Sequence, residues 1–285
     1  MIECVPNISE GRHRPTIEAI ARRIADAPGV RLLEVDPDHD TNRSVLTFVG
    51  EPEAVLEGAR RCIEAAAEHI DLGHHQGSHP RFGAADVVPF VPFPEGDLEL
   101  CRGLAERLAA ISQVGGWFYN PPLLHEIRRG EFEGLVGRTP DFGALHPTAG
   151  AVAIGAREVL IAYNVDLATD DVGVARRIAR RVRELGDRPG LPGVRALGWR
   201  SPSRTGTQVT TNLVDWPKTP PHRLLAEVRR HAESLGVEVA GAELVGMIPR
   251  AAVLAAGPTL DRGLAALALP PSAHAKILEI SLEAP

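Results

Sequence analysis

A chain of 285 residues, 44% hydrophobic and 24% charged, has the composition of a globular protein large enough for two ordinary domains or one large one. Its formal net charge of -6 argues against nucleic-acid binding, which would leave a basic footprint. Cys4, Cys62 and Cys101 stand far apart without metal or redox spacing, and neither a membrane span nor a signal peptide is legible, so a cytoplasmic protein with reduced thiols is expected.

The apolar run Ile2–Val5 predicts a first strand. Pro15 fits a first helical position, Ile17, Ile20, Ala21 and Ile24 follow at helical spacing, and Ala27-Pro28-Gly29 ends that helix. Val30–Val35 reads as a strand, "DPDHDTNR" as a polar loop and Ser44–Val49 as another strand. A long helix from Pro52 to about Ile70 gathers Val55, Leu56, Ala59, Ile63 and Ala66 on one face. The loop "HHQGSHPRFGAA" then leads into "DVVPFV", where Pro89 suggests an edge strand or a bulge.

The same order returns in the second half. "VLIAYNV" is a strand, followed by a helix with Val174, Ile178, Val182 and Leu185 facing inward. "VRALGW" and "TQVTTNLV" are strands, a helix from Thr219–Pro220 turns Leu224, Val228, Ala232 and Leu235 inward, and "VEVAGAELVGMI" closes the unit. Between the halves lie helices near 98–108 and 123–129, a "GWFY" strand, and the Gly/Pro-rich connector "TPDFGALHPTAGAVAIGAR". The expected fold class is therefore α/β (α+β). It comprises two ferredoxin-like β-α-β-β-α-β subdomains, residues 1–156 and 157–285, whose sheets face a substrate cleft.

Three clusters offer chemistry. Asp36, Asp38, His39, Asp40, Asn42 and Arg43 suit a solvated turn, but Asp36 and Arg43 adjoin strands and would be held rigidly. His74, His75, His79 and Arg81 form the second cluster. A metal reading would join His75 and His79 to Asp36, yet Gly77 and Pro80 break the helix that such a pair needs. Exposed loop histidines describe His74 and His75 best, whereas Pro80 fixes the backbone beside His79, as general acid–base catalysis requires. The third cluster is the connector, either a plain link or a loop whose amides wrap a planar ligand. No GxGxxG, P-loop, GxSxG or HExxH pattern is present.

"ECVPNISEGR", "DTNRSVLTFVG" and "HHQGSHPRFGAADVVPFVP", continued in order by "PDFG", "GAREVLIAYNVDL", "TQVTTNLVD" and "AELVGMIP", resemble the formiminotransferase domain of glutamate formiminotransferases. The resemblance implies transfer of a formimino group from N-formimino-L-glutamate to N5 of tetrahydrofolate, in histidine degradation and one-carbon metabolism. In vertebrates the domain is fused to a cyclodeaminase; a chain ending at Pro285 implies the monofunctional form. By the same resemblance His79 is the catalytic histidine and Asp36 its aspartate. The folate loop falls on Gly143, Ala144, Leu145, His146, Pro147, Thr148, Ala149 and Gly150. The resemblance also leads to the expectation of a homodimer with tetrahydrofolate as co-substrate, small-molecule substrates, no metal, no nucleic acid and no membrane. Substrate carboxylates make Arg12, Arg43 and Arg81 candidate ligands. Departures occur at Asn120-Pro121-Pro122, at Ser78 and in the shortened connector. The alternatives are a formyltransferase using N-formylglutamate and 5-formyltetrahydrofolate, and a non-catalytic folate-binding protein.

Overall fold

A computed structural model describes residues 1–93, 96–119, 121–185, 189–201 and 205–283, apart from the side chains of Pro121 and Pro122. The chain forms two compact units, Met1–Glu158 and Val159–Pro285.

The first unit runs β1 (Ile2–Cys4), β2 (Asn7–Ile8), α1 (Arg14–Ala25), β3 (Arg31–Asp38), β4 (Arg43–Gly50), α2 (Pro52–His69) and β5 (Ala85–Pro92). It continues through α3 (Leu98–Ile111), β6 (Gly116–Phe118), α4 (Pro121–Gly130), a 3₁₀ turn at Glu133–Leu135 and β7 (Val152–Ala156). β1 and β2 each pair with β4 on one side and β5 on the other, so they are two halves of one strand interrupted at Val5–Pro6. Counting them as one, the antiparallel part of the sheet has the order fourth, first, third, second, which is the ferredoxin-like order. β7 and then β6 extend it as parallel strands beyond β5.

One face of this sheet carries the core. Ile20 and Ile24 of α1 and Val55, Leu56, Ala59, Cys62 and Ile63 of α2 bury against Ile2, Cys4, Ile8, Leu46, Phe48, Val88 and Phe90. Each large side chain hidden in this way contributes about 1.5–3 kcal/mol of transfer free energy. The alternate positions face the other way. They place Asp36, Arg43, Val45, Asn7 and Val87 on the second face, where Val87, Phe82, Trp117, Leu124 and Ile127 form a smaller cluster under α4.

Several sequence expectations change in this unit. The polar loop 36–43 contracts to the turn His39–Asn42, because β3 stays paired as far as Asp38 opposite Arg43. Asp36 is thus inside a strand opposite Val45, and Asn42 turns the chain at φ 50. β5 is a central strand rather than an edge, with an irregularity between its pairings to Asn7 and Ile8. Pro89 offers no N–H to the ladder, but its carbonyl, which accepts from the Val5 amide at 3.2 Å, marks that side of the residue as the one facing the interruption between β1 and β2, where the ladder is already broken. The "VAIGA" end of the connector is β7, a buried parallel strand.

The second unit runs β8 (Ile161–Leu167), α5 (Val172–Val182), β9 (Val194–Trp199), β10 (Thr207–Leu213), α6 (Pro221–Glu233) and β11 (Val239–Val245). Its sheet order, β11-β8-β10-β9, is again fourth, first, third, second, with every pair antiparallel. Leu185 and Leu235, expected in the core, are exposed because α5 and α6 stop at Val182 and Glu233. The tail adds α7 (Arg250–Leu254), α8 (Leu260–Ala266), a 3₁₀ segment at Pro271–Lys276 and α9 (Leu278–Glu283), which bring Val253, Leu264 and Ile277 onto the same core. Among the described residues no helix is long and apolar enough to cross a membrane.

Candidate active site

Three loops interlock at one end of the first sheet. Ser9 Oγ donates to the Gly83 carbonyl at 2.7 Å, tying the first loop to the third. Asn42 bridges all three: its Oδ1 accepts from the Gly11 amide at 2.9 Å and its Nδ2 donates to the Gln76 carbonyl at 2.9 Å. Ser78 closes the set, its amide and hydroxyl both donating to the Asp40 carbonyl at 3.1 and 2.9 Å. Loop backbone that lacks a ladder is held here by side-chain amides and hydroxyls, so the histidine segment is fixed without helix or strand.

The histidines of that segment have different partners. His74 is exposed, with Nδ1 3.1 Å from Asp71. His75 Nε2 donates to the Asn42 carbonyl at 2.9 Å, and burial lowers its pKa. His79 Nδ1 lies 2.7 Å from the Pro80 carbonyl. A carbonyl only accepts, which assigns the proton to Nδ1 and leaves the Nε2 lone pair available as a base. Burial, then the charges of Arg43 and Arg128, push the His79 pKa down to about 3, against the opposing pull of Asp86 and the Pro80 carbonyl.

Asp86, on β5 and without exposed surface, organises the charges around His79. Its Oδ2 accepts from Arg43 Nη2 at 2.7 Å and from Arg128 Nη2 at 3.0 Å, and its Oδ1 accepts from the Phe82 amide at 3.0 Å. Burial alone would raise its pKa; Arg43, Arg128, His79 and the Phe82 amide together hold it well below the usual carboxylate range. Arg43 is fixed further by Asn7, whose Oδ1 accepts from its Nε at 3.0 Å. Asp86, Arg128 and Asn7 were not singled out in the sequence. The available signal was a carboxylate at the head of an otherwise apolar strand.

The sequence-selected residues separate. Arg43 is bonded to Asp86, the charges of both act on His79, and Asp36 occupies the same sheet face as Arg43, opposite Val45. Arg12 is exposed and donates from Nε to the His39 carbonyl at 2.8 Å. Arg81 is buried and engaged: Nη1 donates to Glu131 at 2.5 Å and Nη2 to Glu133 at 2.9 Å.

The connector 143–150 closes on itself. The His146 and Gly150 backbones exchange bonds of 2.8 and 3.0 Å, and the Ala149 amide donates to His146 Nδ1 at 3.0 Å. These amides therefore serve the loop, while those of Gly143, Ala144 and Leu145 have no partner among the described residues. Pro147 lies within this closed turn, and the Thr148 carbonyl accepts from Leu72 at 2.9 Å. Asn120 and the side chains of Pro121 and Pro122 lie outside the described residues.

Residues 1–157 match the N-terminal subdomain of the formiminotransferase domain, and residues 162–261 match the formiminotransferase domain. The chain belongs to the formiminotransferase family. It is 42% identical over 277 residues to the formimidoyltransferase-cyclodeaminase of Gallus gallus, covering 89% of this chain and 51% of that protein. The chain thus spans about half the length of the curated relatives it matches in vertebrates. It is 34% identical to the glutamate formimidoyltransferase of Streptococcus pyogenes, covering 89% of this chain and 91% of that protein. With the Thermoplasma acidophilum glutamate formimidoyltransferase the identity is 37%, covering 89% of this chain and 90% of the relative. The two matched segments divide where the two compact units do, between 157 and 162.

Proposed function

We propose that the protein moves a formimino group from N-formimino-L-glutamate to N5 of tetrahydrofolate, with His79 as the proton carrier. One observation carries this reading beyond family membership: a neutral imidazole with a free Nε2 on a clamped loop, beside a buried carboxylate and two arginines.

In the reaction N5 attacks the formimino carbon and forms a tetrahedral intermediate. N5 then bears an excess proton, and the glutamate nitrogen needs one in order to leave. His79 Nε2 takes the first and returns it to the leaving nitrogen. The C–N bond to glutamate breaks, and 5-formiminotetrahydrofolate and glutamate result. The Pro80 carbonyl fixes the ring, and Asp86 supports the imidazolium while gripping the loop through the Phe82 amide. Asp36, on the same sheet face, adds a second carboxylate to the site. Arg43 contributes positive charge toward substrate carboxylates, and Arg12 lies at the exposed rim. Arg81 serves by fixing the loop. Folate lies along Gly143–Gly150, where the amides of Gly143, Ala144 and Leu145 are open to it. Holding both reactants in place supplies much of the remaining acceleration.

A spectrophotometric assay with tetrahydrofolate and formiminoglutamate tests the reading directly. Appearance of 5-formiminotetrahydrofolate supports it. Turnover of formyl donors alone, or folate binding without turnover, overturns it.

A further inference from the structure

Arg43 and Arg128 place two guanidinium groups on a single oxygen, Oδ2 of Asp86. One carboxylate faces two guanidinium cations, so Arg43, Asp86 and Arg128 together carry one net positive charge. The two arginines are not equivalent. Arg43 is buried and bonded through both Nε and Nη2. The Arg128 side chain is 29% exposed, bonds through Nη2 alone among the described residues, and has a buried Nε without an acceptor. A guanidinium with donors left over beside a proton carrier is arranged for an anion.

The chemistry of the two reactants selects the anion. Folate carries its carboxylates at the far end of an aminobenzoyl spacer from N5, remote from the reacting atoms. In N-formiminoglutamate the α-carboxylate sits on the carbon that bears the reacting nitrogen. We propose that Arg128 receives the α-carboxylate of the donor, cancelling the surplus charge of the Arg43–Asp86–Arg128 cluster and aligning the formimino carbon with His79. This rests on the formimino-transfer reading above. Arg81 is unsuited to the task, because Glu131 and Glu133 already engage it. It has another effect: Glu131 directly follows α4, so the Arg81 pairs hold the end of the helix that presents Arg128.

Donor binding then acts on His79 as well. Arg43 and Arg128 depress its basicity, and a carboxylate placed against them opposes that effect. The acid limb of kcat, which reports the occupied enzyme, lies at higher pH than the limb of kcat/KM, which reports the free one.

The test compares Arg128→Gln and Arg128→Lys with the natural protein. Arg128→Gln raises the donor KM by roughly 10–100-fold, leaves the folate KM within about two-fold, and removes the separation between the two acid limbs. Arg128→Lys recovers part of the donor KM, keeping the experiment informative where the neutral variant fails to fold. The donor's α-amide suffers a comparable loss with the natural protein and little further loss with Arg128→Gln, as one interaction removed from either side must. Additive penalties, or a rise in the folate KM in place of the donor KM, overturn the proposal. Should the natural protein show no formimino transfer, the function reading falls. Calorimetry with L-glutamate then still decides the anion site: binding that Arg128→Gln abolishes supports it, and equal binding in both proteins overturns it.

Discussion

Gly77 presses against the carbonyl of Thr41: a Cβ built on it would stand 2.2 Å from that oxygen and 2.9 Å from the carbonyl carbon. Any side chain there separates the histidine loop from the 39–42 turn and disturbs the Asn42 and Ser78 bonds that hold them together. Gly77→Ala should lower kcat by roughly 10-fold or more, the scale on which misplacing a catalytic group is felt. Its thermal stability should fall only modestly, since the core is untouched. Enzyme kinetics beside a melting curve check this; unchanged kcat would show that the contact does not position His79.

His79→Ala should reduce kcat by roughly 10²–10⁴-fold, the usual worth of a positioned acid–base group, with folate binding little altered. His74→Ala is the control, its ring being exposed. His75→Ala should cost stability more than turnover, because its ring serves the Asn42 carbonyl. A rise in KM with kcat preserved in His79→Ala would reduce that residue to a binding role.

Asp86→Ala should be the most damaging substitution in the site. It leaves Arg43 and Arg128 without their shared counter-charge, and breaking a buried ion pair in this way costs about 3–5 kcal/mol. Chemical denaturation measures the loss. Asp36→Asn, on a half-exposed strand position, should instead lower kcat while leaving the denaturation midpoint nearly unchanged.

Acidification should destabilise the protein through two of these groups. An unfolded imidazole takes its proton near about 6.5, whereas folded His79 resists until about 3, so between these values the unfolded chain binds more protons and stability falls with pH. Asp86 acts in the same direction from about 4 downward, since its folded carboxyl stays ionised below the unfolded value. Melting temperatures between pH 7 and 4 should therefore decline, and His79→Gln should flatten the slope. A slope identical in that variant would assign the effect elsewhere.

The doubled β-α-β-β-α-β order was legible because helical and alternating periodicities are local signals. His79 stood out for the same kind of reason, being placed between a glycine turn and Pro80. The charge cluster was not legible. Asp86 is separated from Arg43 by 43 residues and from Arg128 by 42, and only the folded sheet with α4 across its second face brings them together. β7 escaped because "VAIGA" is short and glycine-containing, and a buried parallel strand shows no alternation to announce it. The loop 36–43 was read as irregular from its turn-forming residues, although pairing with β4 outweighs that preference as far as Asp38.

The divided strand β1–β2 has a consequence for how the first unit assembles. The eight residues at the start of the chain fill the slot between β4 and β5, whose own sequences lie some 40 and 80 residues further on. The ferredoxin-like part of the sheet therefore stays incomplete on a ribosome until β5 has emerged, since neither β4 nor β5 meets the other directly. Such long-range closure sets a slow, all-or-none folding step. Disorder introduced at the Val5–Pro6 joint would be felt as a sheet opened through its middle rather than frayed at its margin.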